Sequence, residues 1–146
     1  MIKKIVLICC VLLPIFGQAQ ELKEEKVPSI LNNKFKLKFP KAKDIEWEKI
    51  GNLYKVEFEL GKSLDYKVWF DKFGKLLKNS EELLVSELPQ KIRSSILTAY
   101  TNARIDEVFK VTEGLITRYE VKLRSGAKDW LVIYDEEGHP LEVKED

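Results

Sequence analysis

Tyr66-Lys67-Val68-Trp69-Phe70-Asp71-Lys72-Phe73-Gly74 and Trp130-Leu131-Val132-Ile133-Tyr134-Asp135-Glu136-Glu137-Gly138 stand 64 positions apart and share one plan. Apolar residues occupy alternate positions, which marks a β-strand with one buried face. The closing Asp-x-x-Gly reads as a type I turn, with Asp bracing the bend and Gly at its fourth position. Working upstream, Tyr54-x-Val56-x-Phe58 is matched by Tyr119-x-Val121-x-Leu123. Beyond Gly17, the glycines are Gly51, Gly61 and Gly74 in one copy and Gly114, Gly126 and Gly138 in the other. Three turns per copy imply four strands per copy, joined as a meander of hairpins.

Ahead of each strand set lies a helical pattern. Val27, Leu31, Phe35 and Phe39 align with Leu88, Ile92, Ile96 and Tyr100, each set spaced four apart with mostly polar residues between. Such spacing is one stripe of an amphipathic helix. Pro28 and Pro89 suit a first helical turn, Ser86 is a candidate cap for the second helix, and Pro40 stops the first. The expected fold class is therefore α+β, a tandem repeat of a helix plus a four-stranded antiparallel sheet. The expected divisions are a leader over 1–19, an N-terminal tail over 20–26, a first repeat over 27–85 and a second over 86–146. Tyr54, Val56, Phe58, Leu60, Tyr66, Val68 and Phe70 form the inner face of the first sheet, sealed by its helix. Asn79 to Glu87 reads as a short, structured connector.

The chain opens with Lys3 and Lys4, an apolar run from Ile5 to Phe16, and Gly17-Gln18-Ala19. Basic, then apolar, then small is the order of a secretory leader, with cleavage expected after Ala19 and a periplasmic or secreted destination. Cys9 and Cys10 both lie in that run, so the processed chain has no thiol. Ile8 and Cys9 stand where lipidation would want a small residue, so soluble export is preferred. The whole chain carries 25 Lys and Arg against 24 Asp and Glu, and without residues 1–19 the balance is 23 against 24. A balance so even lacks the concentrated positive field of a nucleic-acid binder. With 45% hydrophobic residues the chain is too apolar to stay unfolded.

Phe39-Pro40-x-Ala42-x-Asp44-Ile45-x-Trp47 and Tyr66-x-Val68-x-Phe70-Asp71-x-x-Gly74 are the most specific stretches. On them the chain resembles the β-lactamase-inhibitor-like, PepSY-like (BLIP-like) family of small secreted bacterial proteins, over about residues 27 to 143. The second copy departs from the pattern, with Thr101 in place of the proline and Val108 in place of the tryptophan. The resemblance implies a helix over four strands in tandem, a periplasmic or extracellular setting and no enzymatic activity. Inhibition of a β-lactamase does not follow from it.

No catalytic residue, metal site or cofactor is expected. His139 is a lone turn histidine without cysteine partners. Gly61-Lys62-Ser63 ends like a phosphate loop, but Val56 occupies the position of its first glycine. Asp71 and Asp135, with Glu136 and Glu137, are explained by turn formation, lacking the spacing of a calcium loop. Glu57 with Glu59, and Glu81 with Glu82, read as solvated carboxylates. Lys34, Lys38 and Lys41 could share a helix face and touch an anion, though Glu46 and Glu48 offset that field.

The expected contact surface lies on the sheet face away from the helices. Trp69, Leu131 and Ile133 break the alternation there, with Lys67 beside them. The function expected is a noncatalytic exported module that binds an envelope or secreted protein or peptide through this open face. No nucleic-acid partner and no stable membrane insertion are expected. The alternative is a small-molecule or anion sensor in the crevice between repeats.

Overall fold

The computed structural model describes residues 20–145, so the expected leader, with Cys9 and Cys10, lies outside the described residues. Within them the chain runs β1 (Gln20–Leu22), α1 (Ser29–Lys38), β2 (Lys43–Ile50), β3 (Leu53–Leu60), β4 (Leu64–Asp71), β5 (Leu76–Leu83), α2 (Gln90–Ala99), β6 (Arg104–Glu113), β7 (Ile116–Ser125), β8 (Lys128–Tyr134) and β9 (Pro140–Glu145). All nine strands form one antiparallel sheet in chain order. The order of a helix followed by four strands does occur twice. The two strand sets are nevertheless one sheet, because β5 pairs with β6 from Lys78↔Glu113 to Leu83↔Val108.

Three local expectations are corrected. The stretch 20–26, read as a tail, contains β1, whose Leu22 pairs opposite Trp47 of β2, and a 3-10 turn over Glu24–Lys26. Asn79 to Leu83 belongs to β5, so the expected connector is half strand, followed by a 3-10 turn over Val85–Glu87. Ser86 sits in that turn and caps nothing; Pro89 takes the capping position of α2, and Pro28 that of α1, without a side-chain hydrogen bond. Proline fits there because its missing N–H has no intrahelical partner to lose.

Each helix stripe seals its own part of the sheet. Val27, Leu31 and Phe35 pack on Trp47, Val56, Phe58, Val68 and Phe70, with Phe39, Tyr54, Leu60 and Tyr66 half-buried at the margin. Leu88, Ile92 and Ile96 pack on Val108, Tyr119, Val121, Leu123, Val132 and Tyr134. Fully burying one such side chain stabilises the fold by about 1.5–3 kcal/mol, so these two clusters carry it. Asp71 and Asp135 brace their turns as expected. The Asp71 carboxylate accepts the N–H groups of Phe73 and Lys75 at 2.9 Å each, and that of Asp135 accepts those of Glu137 and His139 at 2.9 and 2.8 Å.

Between the two cores the polarity of the sheet inverts. Register places Asn79 and Glu81 of β5, and Lys110 and Thr112 of β6, on the helix side, with Lys110 Nζ 3.6 Å from Glu81. The same two strands therefore turn Ser80, Phe109 and Val111 to the helix-free side.

Candidate functional site

On that helix-free side a depression of about 340 Å³ crosses the β5–β6 junction. Lys67 and Trp69 of β4, Ser80 of β5, Phe109 and Val111 of β6, and Leu131 of β8 line it, with Lys78, Glu120 and Lys122 at its rim. On a flat sheet β4 and β8 would lie four strand spacings, about 19 Å, apart. Trp69 and Leu131 line one depression across that span, so this face is hollowed there.

Ser80 and Val111 are each only 7% exposed, although no helix covers them and Val111 belongs to neither core. They share the depression with Trp69, Phe109, Lys67 and Lys78, and long charged side chains of this kind shield apolar surface with their stems. Lys78 Nζ sits 4.8 Å from the Trp69 ring centroid, a cation over the face of the indole. The floor is apolar and the rim charged.

Ion pairs also run along this face. Lys67 lies 3.4 Å from Glu57, Lys55 lies 2.7 Å from Glu48 and 2.6 Å from Glu57, and Lys122 lies 2.8 Å from Glu107. Burial works against both charges of the Lys55–Glu57 pair. The hydrogen bonds to Glu48 and Glu57 outweigh it and raise Lys55; those from Lys55, with the charge of Lys67, outweigh it and lower Glu57. Glu57 is thereby committed to an ion-pair ladder and is no partner for Glu59 in acid–base work.

Of the residues expected at a contact surface, Lys67, Trp69 and Leu131 meet in the depression. Ile133 shares their face, opposite Glu120 and Glu142, but stands outside the lining. Phe109, Val111, Ser80 and Lys78 were not foreseen. For Phe109 and Val111 the signal was present in β6, where Val108 and Phe109 are adjacent apolar residues: Val108 closes the second core, and from Phe109 onward the apolar phase flips to the other face. The anion-contact lysines are dispersed in role. Lys34 donates to the carbonyls of Phe73 and Gly74 at 3.2 Å, Lys38 sits 6.0 Å from the Phe39 ring, and Lys41 is in the exposed turn after α1. His139 is exposed, with Nδ1 2.9 Å from Asp135. Its bonds, with those from the backbone of His139 foremost, hold the Asp135 carboxyl below its usual range. Among the described residues no group of three or more His, Cys, Asp or Glu is placed to hold a metal ion. None of the described helices is long and apolar enough to cross a membrane.

Comparison with known proteins gives the arrangement a family setting. The sequence profile described as "Putative beta-lactamase-inhibitor-like, PepSY-like" matches residues 15–78 and 52–141. A search of curated proteins found no match. Among solved structures, a protein of Bacteroides eggerthii described as "putative periplasmic" is similar at a TM-score of 0.71 and 14% identity, over 82% of this chain and 88% of that one. A DUF2874 family protein of Bacteroides uniformis is similar at a TM-score of 0.69 and 17% identity, over 81% and 88%. A BLIP-like protein of Bacteroides fragilis is similar at 0.64 and 23%, over 81% and 85%. At these identities the likeness establishes a shared fold.

Proposed function

The chain belongs to the β-lactamase-inhibitor-like, PepSY-like family, and from that premise we propose that it is a noncatalytic module of the cell envelope that docks a protein partner on the concave, helix-free face of its sheet. The observation that carries this reading is the apolar floor on a face no helix covers. Trp69, Phe109, Val111 and Leu131 come together there from three strands, within a charged rim. A desolvated aromatic anchor encircled by polar groups is the usual anatomy of an energetic centre in protein docking. The rim lysines and glutamates would set orientation and approach rate more than affinity. Envelope location is supported by the leader-like start of the sequence.

A photoreactive residue at position 109, introduced in the native host, tests the proposal. It is expected to give a discrete protein adduct that the same group at exposed Leu97 of α2 does not give. The purified partner should then bind the Trp69→Ala variant at least about tenfold more weakly, the loss typical of an aromatic anchor. Equal crosslinking from both faces, or an affinity indifferent to Trp69→Ala, would refute the docking face.

A further inference from the structure

The edge strand β9 carries an inference that does not depend on the concave face. Every residue of β9 is exposed, and Leu141 and Val143 are exposed by 55% and 50%. The far end of the sheet differs, since its outermost strand, β1, has only three residues. Within the molecule, the strand that follows the first Asp-x-x-Gly turn, β5, accepts an antiparallel neighbour along its outer edge. The strand that follows the second such turn is β9, and it has none among the described residues. Beside it, a groove of about 560 Å³ runs between α2 and β9, lined by Thr98, Tyr100, Tyr134, Pro140 and Val143.

Register with β8 assigns the two faces of β9. Val143 lies opposite Val132 of the second core and so points to the helix side, whereas Glu142 and Lys144 lie opposite Ile133 and Leu131 on the helix-free side. We propose that β9 pairs antiparallel with β9 of a second copy, about a two-fold axis through Val143. In that register Lys144 of each copy faces Glu142 of the other, Val143 faces Val143, and Leu141 faces Glu145. Lys144 Nζ already lies 2.7 Å from Glu142 of its own strand, so the dimer joins two such pairs into a four-charge square across the axis.

Charge pattern is what selects this occupant and this register. Centring the pair on Glu142 sets two glutamates face to face, and centring it on Lys144 sets two lysines face to face. Of the antiparallel registers that pair four or more residues of β9, only the one centred on Val143 sets unlike charges opposite each other. Opposite charges across strands stabilise the pairing and like charges disfavour it. Charged edge strands ordinarily guard against indiscriminate pairing; here the same charges disfavour the two neighbouring two-fold registers, centred on Glu142 and on Lys144. Because Val143 faces itself, both copies keep their helices on one side of the joined sheet. The two α2 grooves then meet across the Val143 pair, and the contact is isologous and closes.

Sedimentation of the exported, purified protein tests this. The native chain is expected to dimerise. Lys144→Glu and Glu142→Lys should each weaken self-association at least about tenfold, because each sets two like-charge oppositions across the axis. The double variant Glu142→Lys/Lys144→Glu should recover the native affinity. An equimolar mixture of the two single variants should form a heterodimer, since the paired lysines of the Glu142→Lys chain then face the paired glutamates of the Lys144→Glu chain. Far-ultraviolet dichroism of the variants, altered only at exposed positions, should stay native. A native chain that is monomeric at high micromolar concentration would overturn the proposal, as would single variants that associate normally or a double variant that stays monomeric.

Discussion

The two halves of the sheet use the same element order to build different interiors. The first is aromatic. Phe35 stands 5.4 Å from Trp47 and 4.9 Å from Phe58, both edge to face, and Trp47 lies 6.3 Å from Phe70. The second is mainly aliphatic, with Ile92 and Ile96 of α2 packed on Val108, Val121, Leu123 and Val132, and with Tyr119 and Tyr134 in the same cluster. Where Lys34 crosses from α1 to the Asp71 turn in the first half, Ser95 makes the equivalent contact in the second, donating to the Gly138 carbonyl at 2.7 Å. Small side chains of α2, Ser94, Ser95, Thr98 and Ala99, line the groove beside β9, while the long Lys34 lies against the Gly74 turn. The backbone plan tolerates either solution; which surface becomes concave or cleft depends on side-chain size.

The sharpest test of that contrast is the pair Trp47 and Val108, which occupy corresponding places in the two cores with exposures of 2% and 0%. Trp47→Ala is expected to cost about 3–5 kcal/mol, since an indole leaves a cavity the surrounding rings cannot refill. Val108→Ala removes two methyl groups and should cost about 1.5 kcal/mol. Urea unfolding followed by far-ultraviolet dichroism measures both. Equal losses would mean that the first interior collapses around the gap and that the aromatic set is not a rigid core.

Next in size is the contrast between the two turn glycines, Gly74 at φ +77° and Gly138 at φ +88°. Replacing either by alanine costs about 1–2 kcal/mol for the left-handed backbone. The neighbours then differ. A Cβ at Gly74 would meet Lys34 Cδ at 2.7 Å, part of a flexible side chain, whereas at Gly138 it would meet the Lys91 carbonyl oxygen at 2.8 Å, part of the α2 backbone. Gly138→Ala should therefore be the more destabilising by about 1 kcal/mol or more, read by the same unfolding experiment.

Periodicity disclosed most of this architecture because burial and alternation are the same physical fact on a one-sided strand. The helix stripes and Val56, Phe58, Val68, Phe70, Val121 and Val132 were legible for that reason. The union of the halves was not, since β5 reads Leu76-Leu77-Lys78-Asn79-Ser80-Glu81-Glu82-Leu83, a strand polar on the helix side where it passes between two cores. A strand held by ladders on both edges needs little apolar content of its own. Strand β1, three residues long, carries too little pattern to be read at all. The candidate face was half legible: Trp69 and Leu131 interrupt an alternation visibly, whereas Phe109 and Val111 belong to a strand whose phase flips midway.

A smaller contrast concerns ionisation. Phe70 and Tyr134 hold corresponding positions in the two cores, and burial pushes the Tyr134 phenol up to about 12. An unfolded tyrosine ionises near pH 10 while the folded one keeps its proton, so stability is complete below pH 10 and drains away between about pH 10 and 12. Tyr134→Phe should remove that part of the alkaline loss, on the order of 1 kcal/mol at pH 11. Parallel unfolding curves at pH 8 and pH 11 check it. An alkaline loss of the same size in the variant would locate the sensitive group elsewhere.

The smallest effect is expected at the outer corner of each half. Glu59 faces Asp65 across β3 and β4, two like charges directly opposed. At the corresponding corner Arg124 faces Asp129 across β7 and β8 and grips both carboxylate oxygens, at 2.6 and 2.9 Å. Asp44, Glu46 and Glu57 crowd the first corner further, and Asp106, paired with Arg104 at 2.7 Å, stands near the second. Glu59→Arg copies the second arrangement into the first: it exchanges the repulsion with Asp65 for an exposed ion pair, and sets a cation opposite Lys43 as Arg124 already stands opposite Arg104. The gain should be about 0.2–1 kcal/mol, the range for exposed pairs, and should shrink as salt rises. Asp65→Asn, which relieves the repulsion without forming a pair, should recover part of it. A Glu59→Arg gain that survives molar salt would have to come from something other than charge, and the charge contrast between the corners would then have no bearing on stability.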